Sequence, residues 1–177
     1  MAASDVVIVG GGIIGCSLAW RLAGAGARVT LLERGKPGTE ASWAAAGLLE
    51  PAAGGYGGAG ADPLLGHWLE GLRRYGDYVA AIQEETGMAF EYRVTGRLLL
   101  AFGEDDLPSL RETQRLQDEA GIAATFWAAD RVRAEEPNVP PGVAGALYFP
   151  DHGLVDNRGL MAALPVAGIG EGGEQLE

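Results

Sequence analysis

Three glycines and one glutamate carry the clearest chemical signal in this 177-residue sequence. Gly10, Gly12 and Gly15 form G-x-G-x-x-G, and Glu33 follows 21 residues beyond Gly12. At this spacing the first glycine permits a tight turn and the second lets backbone amides approach a pyrophosphate. The third lets a helix pack closely on a strand. The phosphates then meet a helix N-terminus, where free N–H groups and the helix dipole favour negative charge. A carboxylate at position 33 can accept hydrogen bonds from both hydroxyls of an adenosine ribose. It would repel a ribose phosphate, which disfavours NADP.

A glycine triplet alone is weak evidence, so its value depends on the elements that hold it. Asp5–Val9 is a short, β-branched, uniformly apolar run, the pattern of a central parallel strand buried on both faces. Cys16–Ala25 reads as a helix with Leu18, Ala19, Leu22 and Ala23 at helical spacing, and Ala27–Glu33 as a second strand. Strand, glycine turn, helix and strand make one βαβ unit, with a right-handed crossover expected. The triplet therefore stands where dinucleotide binding requires it.

Beyond Glu33 the pattern changes. Gly35–Gly38 reads as a loop, Ala41–Leu49 as a short helix of small residues, and Pro51–Asp62 as a glycine-rich surface loop. Pro63–Thr86 has the strongest helical period of the middle section, with Asp62 and Pro63 as its start and Gly87 as its stop. Strands are predicted at Phe90–Val94, Gly96–Phe102, Ala124–Trp127 and Gly145–Phe149, with Leu154–Val155 continuing the last edge. Helices are predicted at Leu107–Ala120, with Leu110 and Leu116 inward, at Asp130–Glu136, and from Asn157 to Leu164, where Pro165 interrupts. Val166–Glu177 is glycine-rich, acidic and without period.

No third strand of a doubly wound sheet is evident, so the chain reads as incomplete. An uncovered apolar sheet edge is expected to make it poorly soluble by itself. The expected division is 1–50 for the βαβ unit and its cofactor-contacting helix, 51–164 for a helical segment and partial substrate-domain sheet, and 165–177 for an irregular tail.

Composition excludes several classes. The formal charge of −11 and a pI near 4.6 argue against nucleic acid or an anionic membrane as partner. The single cysteine, Cys16, rules out an internal disulfide and a cysteine-rich metal site. The start Met1–Asp5 carries an acid where a signal peptide carries basic residues, and the uncharged run Val6–Trp20 is too short to span a bilayer. A cytoplasmic protein is the expectation. Glycine is in excess, 29 of 177 residues. Some belong to the nucleotide turn, whereas Gly54–Gly60 and Gly168–Gly173 are clusters of another kind.

The segment after Glu33 bears on FAD against NAD. A nicotinamide domain would continue with an ordinary helix and a third strand, whereas here a loop leads to Ala41-Ser-Trp-Ala-Ala-Ala-Gly47. Ser42 can donate to a phosphate oxygen, and Ala44–Gly47 leave room for backbone to approach a ribityl chain or flavin ring. A small-residue helix packed closely on the sheet accounts for the same spacing equally well.

Gly10–Gly15, Glu33-Arg34, Ala41–Gly47 with Leu48 and Pro51, and Asp151-His-Gly-Leu-Val-Asp156 with Arg158 and Leu160 resemble the D-amino-acid oxidase superfamily of FAD proteins. The closest resemblance is to the glycine oxidases of bacterial thiamine biosynthesis. It runs from Val6 to about Leu164, dense at first and sparse in the middle.

The resemblance implies an α/β protein, with a Rossmann-like βαβ unit for FAD plus part of an α+β substrate domain. It implies FAD contacts at Gly10, Gly12, Ile13, Ile14 and Gly15 in the turn, and at Glu33 and Arg34 for the adenosine end. Ala41 and Ser42 would meet the phosphates, and Ala46, Gly47 and Leu48 the flavin side. Leu48 replaces the methionine usual in the family. The implied reaction oxidises a small amine or amino acid. The α-hydrogen passes as hydride to the flavin, the imine hydrolyses, and molecular oxygen is reduced to peroxide.

The substrate-gripping arginine and closing cofactor motif belong to the carboxy-terminal half of that family, so the chain alone is expected to be inactive. Its partners would be the small substrate and oxygen, with homo-oligomerisation of the complete enzyme left open. Two rivals remain: a non-catalytic dinucleotide-binding fragment and an NAD-linked dehydrogenase.

No catalytic residue and no metal site is nominated. Arg93 and Arg97 are expected to be solvated or ion-paired rather than to bind a carboxylate. His67 and His152 are expected at the surface or boundary, and Cys16 is expected to pack under the sheet. Trp43 either shields the cofactor or fills space beneath Gly54–Gly60. Glu84–Glu85 and Glu135–Glu136 are expected to be solvated.

Overall fold

The computed structural model describes residues 3–50 and 64–167. The predicted loop Pro51–Asp62, the Asp62-Pro63 helix start and the tail from Gly168 lie outside the described residues. The chain divides into two compact units, one of Met1–Leu48, Arg74–Tyr92 and Val155–Glu177, the other of Leu49–Arg73 and Arg93–Leu154.

In the first unit, β1 (Val6–Val9) pairs in parallel with β2 (Val29–Leu32), in the register Val6 to Val29 through Val9 to Leu32. Between them runs α1 (Ile13–Gly24), three residues earlier at its start than the apolar period predicts. Gly15, Cys16 and Trp20 form its buried face. This is the expected βαβ unit with one correction. β1 is not buried on both faces: its burial alternates, and Val7 and Val9 are 58% and 83% exposed. Its sheet has two strands among the described residues, and Val7 and Val9 lie on its exposed face.

The predicted helix Ala41–Leu49 breaks into three parts. α2 (Ala41–Ala44) is a single turn, Ala45 is extended, and β3 (Leu48–Leu49) is a strand. Gly47 makes the break, with φ of +73°, where side chains are strained. A Cβ there would lie 2.1 Å from the Val155 carbonyl oxygen, so only glycine fits.

α3 (Leu65–Thr86) follows the predicted period, with Val79 and Ile82 fully buried, and stops at Gly87 as expected. β4 (Tyr92–Val94) and β8 (Gly153–Val155) join β3 in a ladder of order β3–β8–β4. The expectation that Leu154–Val155 continues the preceding strand is therefore corrected. α6 (Asn157–Ala167) closes the described chain and runs through Pro165, which was expected to interrupt it. Proline there costs the bond to the carbonyl four residues back, but Leu160, Met161, Ala163, Leu164 and Ala167 are all buried and hold the turn.

In the second unit, β5 (Arg97–Phe102), β7 (Val143–Phe149) and β6 (Thr125–Ala128) form an antiparallel sheet with β7 central. α4 (Leu107–Glu119) follows a 3-10 turn at Glu104–Asp106, and α5 (Ala129–Glu135) follows β6 directly. Ala101, Leu110, Ile122, Leu147 and Phe149 make one core cluster, and Trp127, Val132, Val143 and Ala146 another. Ala146 and the adjacent Leu147 of β7 serve the two different clusters, as strand alternation dictates, and the register shifts near Val143.

Candidate functional site

The glycine turn adopts the geometry that its spacing predicts. Gly10 has φ of +106°. A Cβ on Gly15 would stand 1.9 Å from the Gly10 carbonyl oxygen and 3.4 Å from Ile8, so the third glycine sets how closely α1 approaches β1. Gly12 is the N-cap of α1 in extended conformation, and no side chain of its own caps the helix. The first amides of α1 are thus turned toward whatever follows the turn in space.

Two side chains from further along the chain meet the amides of the turn and of α1's first residue. Glu33 follows β2 and accepts the Gly11 N–H at 2.7 Å through Oε2, and the Gly35 N–H at 3.0 Å through Oε1. These bonds, the Gly11 one foremost, hold its carboxyl below the ordinary carboxylate range. Ser42, on α2, accepts the Ile13 N–H at 3.0 Å through Oγ, which also lies 3.2 Å from where a Gly12 Cβ would be. The sequence placed Gly10, Gly12, Ile13, Gly15, Glu33 and Ser42 in one site, and the structure brings all six together.

The other candidates divide. Ile14 is 71% exposed at the first turn of α1, an apolar side chain without cover. Arg34 forms a two-oxygen ion pair with Glu40 at 2.7 Å, both well exposed. Ala41 and Ala46 are exposed, Leu48 is 56% exposed, and Gly47 is buried against Val155. Trp43 is 42% exposed beneath the Arg158 guanidinium, and the Gly54–Gly60 loop it was set against lies outside the described residues.

Sequence reasoning missed Asn157, whose Nδ2 donates to the Ser42 carbonyl at 2.8 Å and the Trp43 carbonyl at 3.0 Å. Nothing local signals such a contact, because the partners are more than a hundred positions away. Glu85, expected to be solvated, accepts the Trp20 Nε1–H at 2.7 Å, anchoring α1 to α3. Cys16 is buried, as expected for packing, and donates to the Gly11 carbonyl at 3.3 Å.

In the second unit, Arg97 is ion-paired with Glu50, as expected for it. His152 corrects the expectation of a surface or boundary residue. It is 4% exposed and stacks on Phe149 at 4.8 Å between ring centroids, and Nδ1 lies 3.9 Å from Glu50 Oε2. Neither ring nitrogen has a hydrogen-bond partner among the described residues. Burial, then the Arg97 charge, pushes its pKa below the ordinary histidine value. Among the described residues no cluster of His, Cys, Asp and Glu is arranged to hold a metal ion, and no helix is long and apolar enough to cross a membrane.

A turn of this geometry, followed by an acid just after the second strand, is of the kind that FAD- and NAD-binding folds use, and comparison gives the family. Residues 5–176 match the DAO family, FAD dependent oxidoreductase, and the chain belongs to that family. Similar proteins include glycine oxidases and a methylaminobutanoate oxidase. Glycine oxidase of Pseudomonas aeruginosa is 41% identical over 161 residues, covering 90% of this chain and 42% of that protein. The 4-methylaminobutanoate oxidase (formaldehyde-forming) of Paenarthrobacter nicotinovorans is 32% identical over 89% of this chain and 18% of its own length. The crystal structure of glycine oxidase from Geobacillus kaustophilus matches with a TM-score of 0.85 at 30% identity, over 93% of this chain and 44% of that one. The chain therefore spans less than half the length of these relatives.

Proposed function

We propose that this chain supplies the FAD-binding part of an oxidase that converts a small amine or amino acid, in the manner of glycine oxidase, to an imine with release of peroxide. The observation that carries this reading is the paired arrangement at the start of α1. Glu33 and Ser42 already sit on the Gly11 and Ile13 amides, so the turn is set before any ligand arrives. Preset donors and acceptors spare the ordering cost that a loose loop would incur on binding.

In this reading the amides of Gly12 and Ile14 face the pyrophosphate, Ile13 adjoins it through the Ser42 hydroxyl on its amide, and the α1 dipole lies behind them. Gly10 and Gly15 keep the turn tight. Glu33 takes the ribose hydroxyls and Arg34 lies at the adenosine end. Ser42 and Ala41 serve the phosphates, and Ala46, Gly47 and Leu48 border the flavin. The bound flavin would accept hydride from the substrate's α-carbon and pass its electrons to oxygen. The chain's own residues bind and orient it.

The test is flavin uptake by the purified chain, read as retained yellow colour and visible absorbance after gel filtration. Retention by the parent, with loss in Gly12→Val and Glu33→Ala, is the expected outcome. A colourless chain that binds ADP would mark a dinucleotide-binding fragment instead, and selective retention of NAD would mark a dehydrogenase. With less than half the length of its relatives, the chain by itself is expected to give no peroxide on addition of glycine or sarcosine. Turnover would overturn that expectation.

A further inference from the structure

The segment that would border the cofactor has little side chain with which to hold itself. Ala41, Ala44, Ala45 and Ala46 are small and exposed, and α2 is only one turn long. A single turn of helix is unstable alone, since nucleation costs more than its few hydrogen bonds return. Its position must come from elsewhere, and α6 provides it.

The Asn157 carboxamide donates both hydrogens of its Nδ2, one to the Ser42 carbonyl and one to the Trp43 carbonyl. Carbonyls at the end of so short a helix have no partner in the next turn. The grip itself is fixed. Asp156 Oδ1 accepts the Arg158 and Gly159 amides at 3.1 and 3.0 Å, anchoring the start of α6. The Val155 N–H bonds the Gly47 carbonyl at 2.9 Å, closing the segment from its other end. From Ser42 the connection continues through Oγ to the Ile13 amide, in the glycine turn.

We infer that Asn157 is a positioning residue of the cofactor site: by holding the Ser42 and Trp43 carbonyls it fixes the Ser42 hydroxyl beside Gly12 and Ile13 for a phosphate oxygen. This rests on the flavin reading above. A hydroxyl accepts and donates at once, so Ser42 keeps the Ile13 amide while offering its hydrogen to the phosphate. Only a side chain with two donors serves two carbonyls. The substitution Asn157→Asp, which keeps the side chain's size, would set a carboxylate against both oxygens.

The experiment measures FAD affinity by flavin-fluorescence quenching for the parent chain, Asn157→Ala, Asn157→Asp, Ser42→Ala and the Asn157→Ala/Ser42→Ala pair. Hydrogen exchange of residues 43–48 is followed with and without FAD. Asn157→Ala is expected to weaken binding about tenfold, and Asn157→Asp more. Ser42→Ala should cost about tenfold in the parent but less than about threefold once Asn157 is gone, because the two act through one contact. Exchange of residues 43–48 should quicken in both Asn157 variants even without FAD, while exchange in β5–β7–β6 stays unchanged. That second readout separates a local release from failure to fold. Parental affinity in Asn157→Ala, or additive losses in the double variant, overturns the role of Asn157 while leaving the flavin reading intact. Failure of the parent to take up FAD overturns both.

Discussion

Two of the sheets among the described residues, β1–β2 and β5–β7–β6, are made from similar residues and end in opposite conditions. β7, Val-Ala-Gly-Ala-Leu-Tyr-Phe, has a strand on each side and helices packed on the sheet, and five of its seven residues are buried. β1, Val-Val-Ile-Val, is more apolar residue for residue, yet none of its four is fully buried and Val9 is 83% exposed. The difference lies in neighbours. A strand is buried by what pairs with it and covers it, so an all-apolar run states what a strand is built for and not what surrounds it. In the first unit tight contacts gather where Gly15 meets Gly10, where Glu33 and Ser42 meet the turn, and where Gly47 meets Val155, while the outer face of β1 has none to match. The second is constrained throughout its sheet.

Substitutions that separate packing from exposure sharpen this contrast. Leu147→Ala, at a fully buried residue of β7, is expected to cost about 2–5 kcal/mol of stability. Urea unfolding measures it, and a cost below about 1 kcal/mol, on the order of an exposed site, would show that the core repacks. Gly15→Ala forces a methyl against the Gly10 carbonyl and is expected to cost about 1–3 kcal/mol. It should also abolish flavin retention, whereas Leu147→Ala should spare it at temperatures where both fold. Equal flavin retention in the two variants would break the comparison.

His152 gives a smaller effect with a defined direction. Its folded-state pKa is depressed from the ordinary value of 6.5, so the unfolded chain takes up the proton first. Stability is then full above about pH 6.5 and declines as pH falls through the depressed value. His152→Phe keeps a ring over Phe149 and removes the titration, so the melting temperature should depend less on pH between about 5 and 7. A slope as steep as the parent's would place the titration elsewhere. Smallest of all, Val9→Thr should change stability by no more than about 0.5 kcal/mol. It is still expected to lower aggregation measured by light scattering, because it breaks an exposed apolar edge.

The βαβ unit was legible in the sequence because its signals are local: a glycine triplet, an apolar strand and an acid at fixed spacing all lie between Asp5 and Glu33. The same holds for α3, whose long period and terminal Gly87 announce it, and for the ion pairing of Arg97. What escaped was set by distant partners. Gly47 turns the chain into β3 because Val155 stands against it. Asn157 reads as an ordinary helix start until Ser42 and Trp43 are seen beside it, and His152 reads as a turn residue until Phe149 covers it. Pro165 misled for the converse reason: its local rule is sound, but the buried face of α6 outweighs it. The roles proposed for Ile14, Ala46 and Leu48 rest on resemblance, since exposure of an apolar side chain does not by itself reveal a task.

The chain's single cysteine lies beside the glycine turn of the first unit. Cys16 is 2% exposed, directed at the Gly11 carbonyl, and its thiol is pushed up by burial and by the Glu33 charge. A thiol so shielded and so reluctant to ionise reacts with an alkylating reagent only when the turn opens. Labelling kinetics at this one thiol therefore time the opening of the glycine turn without any engineered probe, and a ligand seated there should lengthen that interval in proportion to its occupancy.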